Sequence, residues 1–299
     1  MSGLLDRVLE QLAGADPRWA VLALVLHVTN HLLRSVAWRG VLAAAYPEQR
    51  VPLIRVLTGY AAGVALNAVA PARGGDAVKV GLVRAAIPGS SVPTVAATMS
   101  VLVALDLLIG TVLVLVLGVT GAVPLDLAAA TGRLAAVAPL VVLGVGILGL
   151  IAYFARHRAR ALAVRVRQGG AVLRSPARYA RTVAAPQLAA WSCRVGVIVC
   201  LLAAFGLPAS LPMAALVMVV SGASTVVPLT PGGAGTQQVF LAVALSQTAS
   251  AAAVVSFSLA MQASVTIVNA LLGVAAAMVA VGTLRPVAAV RSALAGARG

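Results

Sequence analysis

Long apolar runs alternate with short polar connections along most of the chain. Five of the runs reach the length of about 20 residues that a helix needs to cross a hydrocarbon core of roughly 30 Å. They predict membrane-spanning helices at Trp19–Ala43, Pro93–Gly118, Leu134–Phe154, Pro186–Gly206 and Ala249–Gly282. The pattern therefore predicts an all-α integral membrane protein.

Two further apolar runs are interrupted by proline, paired glycines and polar residues. Leu53–Ala70 leads into Pro-Ala-Arg-Gly-Gly-Asp, and Leu211–Leu229 leads into Thr-Pro-Gly-Gly-Ala-Gly. A helical piece is predicted after each interruption, near Ala77–Ala86 and Thr236–Leu245. The second piece would be only about 15 Å long at a rise of 1.5 Å per residue, too short to cross a membrane. Each broken pair is therefore predicted to be a re-entrant hairpin, which is tolerated where it lines a cavity or is buried in protein.

Composition and charge agree with a membrane location. Hydrophobic residues make up 61% of the chain and charged residues 10%, against about 25% charged residues in a soluble domain. The net charge of +15 comes mostly from arginines in the connections, which is the positive-inside pattern and not the footprint of a nucleic-acid-binding protein. The densest block lies in a predicted cytoplasmic loop at 155–185 and contains Arg156, Arg158, Arg160, Arg165, Arg167, Arg174, Arg178 and Arg181. This block and the basic tail predict a cytoplasmic C-terminus and an outside N-terminus.

The two halves of the chain resemble each other. Arg194 corresponds to Arg34 and Pro212 corresponds to Pro52 at the same offset along the chain, and Gly232 corresponds to Gly74 at nearly that offset. We therefore predict one polytopic domain over 1–299, in which residues 19–118 and 186–282 are inverted repeats of span, re-entrant hairpin and span. Residues 134–154 would be the connecting span. Paired interruptions in inverted repeats are a sequence indication of a transporter's binding site.

The interrupted segments carry motifs of a known family. PARGGDAVK (71–79) resembles the pattern P-x-R-x-G-E-x-x-R, and PLTPGGAGTQQ (228–238) resembles P-x-T-P-G-G-L-G-x-x-E. Both are signatures of the flippase-like membrane domain of lysylphosphatidylglycerol synthases. The similarity extends from about His31 to Arg285. It implies translocation of a lipid with a charged or sugar headgroup, by a member expected to lack the aminoacyltransferase domain of the synthases.

The chain departs from the family pattern at four places. Asp76 and Lys79 replace a glutamate and an arginine, and Gln238 stands where the second motif has glutamate. The third span of the family often carries an arginine before its aspartate, whereas this chain has only Asp106.

Charged side chains inside the predicted membrane segments are the candidate substrate site. A charge at the centre of a membrane helix costs roughly 2.5–3.5 kcal/mol on insertion scales, so it is usually paired or faces a cavity. Arginine suits a phosphate because its fork of donors binds two oxygens, and helix-starting amides attract anions. We assign Arg34, Arg73, Lys79 and Arg194 to a headgroup, with Asp76 and Asp106 balancing them or accepting an ammonium. Freed backbone N–H groups are expected at Gly74, Gly75, Gly232, Gly233 and Gly235, and Asn67, Pro231 and Gln238 complete the predicted site.

Structural roles remain open for these residues: Arg34 with Asp106, or Arg73 with Asp76, could simply join helices. No metal site or cofactor is predicted, because His27 and His31 share a helix face without a third ligand nearby in the sequence. The absence of a G-x-x-x-x-G-K motif and of a nucleophile–base set predicts a non-enzymatic protein without an ATP site.

The leading hypothesis is therefore a lipid flippase in a bacterial or archaeal cytoplasmic membrane, with membrane lipids as partners and no nucleic acid. Two alternatives stay open: a secondary transporter of a small anion or another soluble solute, and an accessory subunit of a lipid-modifying enzyme. A cavity sealed from lipid would favour the first alternative, and a lateral opening would oppose it. Association with a second copy or with a lipid-synthesis enzyme also stays open.

Overall fold

The computed structural model describes residues 10, 13–69, 74–119, 164–224, 235–245 and 249–281, which contain helices and no strand. The helices are α1 (Pro17–Ala45), α2 (Leu53–Val69), α3 (Gly74–Ala85), α4 (Val92–Val119), α5 (Pro176–Ala204), α6 (Leu211–Ser224), α7 (Thr236–Ala244) and α8 (Ala251–Val281). Residues 164–169 are also helical, and a 3₁₀ turn follows at Ala171–Arg174.

Four of the five predicted spans are confirmed as apolar helices that are long enough to cross a membrane. They are Pro17–Ala45, Val92–Leu113, Pro176–Ala204 and Ala252–Val279. The fifth, Leu134–Phe154, lies outside the described residues.

The helix that carries the predicted span Pro186–Gly206 begins ten residues before that span. α5 begins at Pro176 and not at Pro186, because a π-helical turn at Ala180–Ala184 continues the helix through arginine-containing sequence. Proline is tolerated in the first turn, where its missing N–H would be unpaired in any case. The arginine-containing sequence therefore did not mark the residue at which the helix begins.

Most of the two predicted interruptions, residues 70–73 and 225–234, lies outside the described residues, and separate helices are described on either side of each. α2 ends at Val69 and α3 begins at Gly74, while α6 ends at Ser224 and α7 begins at Thr236. α2 and α6 are apolar but shorter than the four spans. The re-entrant arrangement of each pair remains a prediction.

α1 and α5 run antiparallel to each other through the centre of the protein. At one end the N–H of Asp16 donates to the carbonyl of Ala204 at 2.9 Å. At the other end Gly40 lies so close to α5 that an added Cβ would be 2.5 Å from the carbonyl oxygen of Thr182. Asp16 also caps α1 by accepting the N–H of Arg18. α2, α4, α6 and α8 pack against this pair, whereas α3 packs mainly on α2 and α4, and α7 mainly on α6 and α8.

The buried apolar residues of the described helices include two clusters, and α1 and α5 contribute to both. The first comes mainly from α1 to α4 and includes Trp38, Leu42, Val83 and Val95. The second comes mainly from α5 to α8 and includes Leu202, Leu241 and Phe257. Each half of the chain thus has its own core.

Close backbone contact joins α2 to α3. A Cβ added at Gly63 would overlap the carbonyl oxygen of Gly75, and one added at Gly75 would overlap that of Gly63. Both positions therefore require glycine, and this contact holds the start of α3 against the last turns of α2.

Candidate functional site

A cavity of about 400 Å³ lies where helices of both halves meet, and we call it the central cavity. It is lined by residues of α1, α2, α5, α6, α7 and α8, near the ends of α2 and α6 and the start of α7. Its polar lining consists of His27, Asn30, His31, Asn67, Arg194, Ser221, Gln237, Gln262, Thr266 and Asn269. Of the predicted site residues, Asn67 and Arg194 line this cavity.

Arg34 and Asp106 form an ion pair between α1 and α4. The guanidinium donates to both carboxylate oxygens, at 3.3 Å from Nη1 to Oδ1 and 2.5 Å from Nη2 to Oδ2. Oδ1 also accepts from Gln187 Nε2 at 2.6 Å and from Trp191 Nε1 at 2.7 Å. A carboxylate has about four lone-pair positions, so four donors leave Asp106 little capacity for an ammonium. The structural pairing that the sequence left open for Arg34 is the arrangement found.

A second charged cluster lies at the start of α3. Lys79 is buried and donates to Oδ1 of Asp76 at 2.9 Å, while Asn67 Nδ2 donates to the same oxygen at 3.1 Å. The Lys79 ammonium also lies 4.8 Å above the ring of Tyr60. Because the hydroxyl of Tyr60 accepts from Arg34 Nε at 2.8 Å, this cluster is connected to the Arg34–Asp106 pair.

Side chains of the protein accept hydrogen bonds from two of the backbone N–H groups at helix starts that were expected to be free. The N–H of Gly75 donates to Asn67 Oδ1 at 2.8 Å, and the N–H of Gly235 donates to Gln238 Oε1 at 2.7 Å. The expectation of unpaired amides is therefore wrong at Gly75 and Gly235, because a nearby amide side chain satisfies each of them. Gln238 also donates to Gln262 on α8 at 2.7 Å, which ties α7 to that span.

Four predicted site residues lie outside the described residues: Arg73, Pro231, Gly232 and Gly233. Gly74 is described, is exposed at the first position of α3, and has open space around its Cα.

Arg194 has an environment unlike that of Arg34. It is exposed, and it lines both the central cavity and a second space beside it. Its guanidinium lies 5.3 Å from the ring of Trp191. Of the cations described around the cavity, Arg34 and Lys79 pair with carboxylates, whereas Arg194 forms no such pair with a described residue.

The second space, which we call the side groove, has a volume of about 480 Å³ and lies between α4, α5 and α6. Most of its lining is apolar, including Val103, Leu107, Leu113, Leu115 and Val219. Leu107 is 66% exposed and Leu115 is 60% exposed on the surface of the described helices. Arg194, Met218 and Gly222 line both the side groove and the central cavity, so the two spaces adjoin at these residues.

Sequence reasoning missed a histidine–asparagine cluster in the central cavity. His27 Nε2 and His31 Nε2 lie 3.1 Å and 2.9 Å from Oδ1 of Asn269, and 3.1 Å from each other. The spacing of the two histidines placed them on one helix face, but Asn269 is distant from both in the sequence and sits in an apolar span. No group of three histidine, cysteine or carboxylate residues suited to a metal ion occurs among the described residues.

Comparison with known families gives one match that covers most of the chain. The family model described as the lysylphosphatidylglycerol synthase TM region matches residues 4–273. No match is found among the curated proteins or the solved structures.

Proposed function

The chain belongs to the lysylphosphatidylglycerol synthase transmembrane-region family, and from this membership and the geometry of the site we propose that it translocates a lipid across the membrane. The polar headgroup would pass through the central cavity while the acyl chains stay in the side groove and the bilayer. No chemical conversion of the lipid is part of this proposal.

One observation supports it above the others: the central cavity and the side groove adjoin. A phospholipid combines a charged head with apolar tails, and a polar cavity that shares Arg194, Met218 and Gly222 with an apolar groove provides for both parts in one place. A soluble anion or solute would need only the cavity. The exposed leucines along the groove, Leu107 and Leu115, would give acyl chains a way in from the bilayer.

The lengths of the broken segments support a pair of re-entrant hairpins around the cavity. α3 has 12 residues and α7 has nine, which correspond to about 18 Å and 14 Å at 1.5 Å per residue. Neither length crosses a hydrocarbon core of roughly 30 Å. Asn67 at the end of α2 and Gln237 at the start of α7 both line the cavity, as expected if the hairpins enter from opposite sides and meet near the midplane.

The exposed arginines support the proposed orientation in a cytoplasmic membrane. Arg165, Arg167, Arg174, Arg178 and Arg181 are all exposed, and Arg178 donates to the carbonyl of Ala43 near the end of α1. The C-terminal end of α1 and the start of α5 would therefore face the cytoplasm, in accordance with the positive-inside rule. Transport would be passive or driven by a gradient.

Reconstitution into liposomes tests the proposal. Headgroup-labelled lipids of anionic, zwitterionic and glycosylated classes are placed in both leaflets, and a membrane-impermeant quencher reports their movement. We expect at least one class to move faster with the protein than in protein-free vesicles. Movement at the protein-free rate for every class would refute the proposal.

A matched pair of variants links any movement to the site. Gly222 lies where the cavity and the groove adjoin, and Gly81 lies on an exposed part of α3; an added Cβ would meet nothing within 4 Å at either position. We expect Gly222→Trp to reduce translocation at least tenfold, because the indole would fill the connection, and Gly81→Trp to leave it within twofold. Equal rates for the two variants would mean that lipid does not pass this point.

A further inference from the structure

The ion pair of Arg34 belongs to a group of contacts that joins α5 to α4. Gln187 and Trp191, one helical turn apart on α5, both donate to Oδ1 of Asp106. Arg34 on the neighbouring α1 donates to both oxygens of the same carboxylate. In this group the negative charge of Asp106 compensates the arginine.

The same arrangement of side chains occurs in the other half of the protein. His27 and His31 on α1 are the counterparts of Gln187 and Trp191, at the same offset along the chain that relates Arg34 to Arg194. Both histidines contact Oδ1 of Asn269 on α8, and Asn269 corresponds to Asp106 at nearly that offset. Two residues one turn apart on a central helix thus hold one polar side chain of the long span in each half.

The two groups differ in charge. Arg194 is the counterpart of Arg34 by this comparison. The position that corresponds to Asp106 holds the neutral Asn269, which lines the central cavity together with Arg194. Arg34 therefore has a carboxylate at hydrogen-bonding distance, whereas Arg194 forms no ion pair with a described residue and shares the side groove with Asp106, whose charge Arg34 already compensates. An unpaired cation inside a membrane protein is costly unless a cavity or a ligand solvates it.

Two hydrogen-bond acceptors in the cavity wall are also without a partner. Asn30 is 7% exposed and His31 is 8% exposed, and Asn30 Oδ1 and His31 Nδ1 are buried with no hydrogen bond. Both residues line the central cavity. Buried polar atoms are normally satisfied, and leaving one unpaired is unfavourable. Asn30 Oδ1 can only accept, and His31 Nδ1 is an acceptor when Nε2 carries the proton that faces Asn269 Oδ1, so both atoms would accept hydrogen bonds from donors of a ligand.

We propose that the cavity beside Arg194 and Asn269 binds an anionic phosphodiester headgroup that carries hydroxyl groups, with the ligand supplying to Arg194 the negative charge that Asp106 supplies to Arg34. The phosphate oxygens would accept from the guanidinium fork. The hydroxyl groups would donate to Asn30 Oδ1 and His31 Nδ1. The assignment deepens the proposed function and rests on it for the claim that the ligand is a membrane lipid.

Asn269→Asp is the sharpest test, because it places in the second half the carboxylate that the first half already has. The new carboxylate is expected to pair with Arg194 and to occupy the site without a ligand. Binding of phosphatidylglycerol is measured on the full-length protein by native mass spectrometry and by competition in detergent, with phosphatidylcholine and inorganic phosphate as the other probes. We expect Asn269→Asp to weaken phosphatidylglycerol binding at least tenfold and Arg194→Gln to weaken it comparably.

Gly81→Asp is the matched control, since it adds the same charge at an exposed position of α3 that is not part of the cavity lining. Its phosphatidylglycerol binding is expected to stay within about threefold of that of the unmodified protein. A thermal unfolding transition as high as that of the unmodified protein will establish that Asn269→Asp is folded. If Asn269→Asp and Arg194→Gln each bind phosphatidylglycerol within twofold of the unmodified protein, the assignment is overturned. Equal affinity for phosphatidylcholine, or binding of inorganic phosphate without binding of either lipid, overturns the ligand class.

Failure of the inference can be told apart from failure of the proposed function. If the protein translocates lipid in liposomes and Asn269→Asp does so at the same rate, the anion site is wrong while translocation stands. If no lipid is translocated but phosphatidylglycerol binds in the manner expected of Arg194 and Asn269, the site stands while translocation is wrong.

Discussion

Removing the charge of Asp106 should destabilise the protein more than removing that of Asp76. Arg34 and Asp106 are 20% and 21% exposed, and their two-point contact joins α1 to α4. Breaking a buried ion pair by changing one partner costs roughly 3–5 kcal/mol, because the remaining charge loses its compensation. Since the pair is partly exposed, we expect Asp106→Asn to lower the free energy of unfolding by about 3 kcal/mol.

The contacts of Asp106 show why the charge dominates this figure. Asparagine keeps one oxygen that can still accept from Gln187 or Trp191, which now donate at 2.6 and 2.7 Å. It cannot compensate the guanidinium of Arg34, whose other polar partner is the neutral hydroxyl of Tyr60. The loss therefore falls mainly on the ion pair and less on the neutral donors.

Reversible unfolding in mixed detergent micelles measures the effect, with two variants as references. Asp76→Asn removes a carboxylate that is 44% exposed from its pair with the buried Lys79; because water screens the exposed carboxylate and the Tyr60 ring still faces the ammonium, it should cost less, about 1–2 kcal/mol. Arg34→Met combined with Asp106→Asn removes both charges and keeps an oxygen that can accept from Gln187 or Trp191; it should lie within about 1–2 kcal/mol of the unmodified protein, since neutral replacement of a buried ion pair often costs little. The reasoning is refuted if Asp106→Asn costs no more than Asp76→Asn, or if the double variant is as unstable as the single one.

Two further predictions concern glycines that allow close helix contact, and both are checked by thermal unfolding in detergent. Gly75→Ala should destabilise the protein by more than about 2 kcal/mol because its Cβ would overlap the carbonyl of Gly63. Gly81→Ala, at a position with open space, should be neutral or stabilising. Equal transition temperatures for the two variants would contradict the described α2–α3 contact. Gly273→Leu should be strongly destabilising because a Cβ there would overlap that of Ala65. Gly110→Leu should be tolerated, since Gly110 lines the side groove and its nearest neighbour would be Trp191 at 3.6 Å; a larger loss for Gly110→Leu would contradict the open groove.

The positions of the helices could be predicted from the sequence because the membrane imposes a simple rule. An apolar run of about 20 residues has few alternatives to a spanning helix, and proline with paired glycines disfavours a continuous helix. The start of α5 could not be predicted in this way, since the arginines that mark the membrane boundary are also good helix formers.

The site could be predicted only in part, because most of its contacts join residues that are distant in sequence. A charge in an apolar run identified Arg34, Asp106 and Arg194, but no pattern distinguished the arginine with a carboxylate from the one without. Arg34 has Asp106 of α4 beside it. The corresponding residue of α8 is the neutral Asn269, which lines the cavity with Arg194. Asn67 was placed in the site, yet its role in capping Gly75 became visible only with the α2–α3 contact.

The position of a bound lipid in a cryo-electron microscopy structure, determined in nanodiscs rich in phosphatidylglycerol, tests the central claim most directly. The claim is that one lipid occupies both the central cavity and the side groove. We expect a phosphate within hydrogen-bonding distance of the Arg194 guanidinium and an acyl chain beside Leu107 and Leu115. Lipid found only around the outside of the helices, with none reaching Arg194, would contradict it.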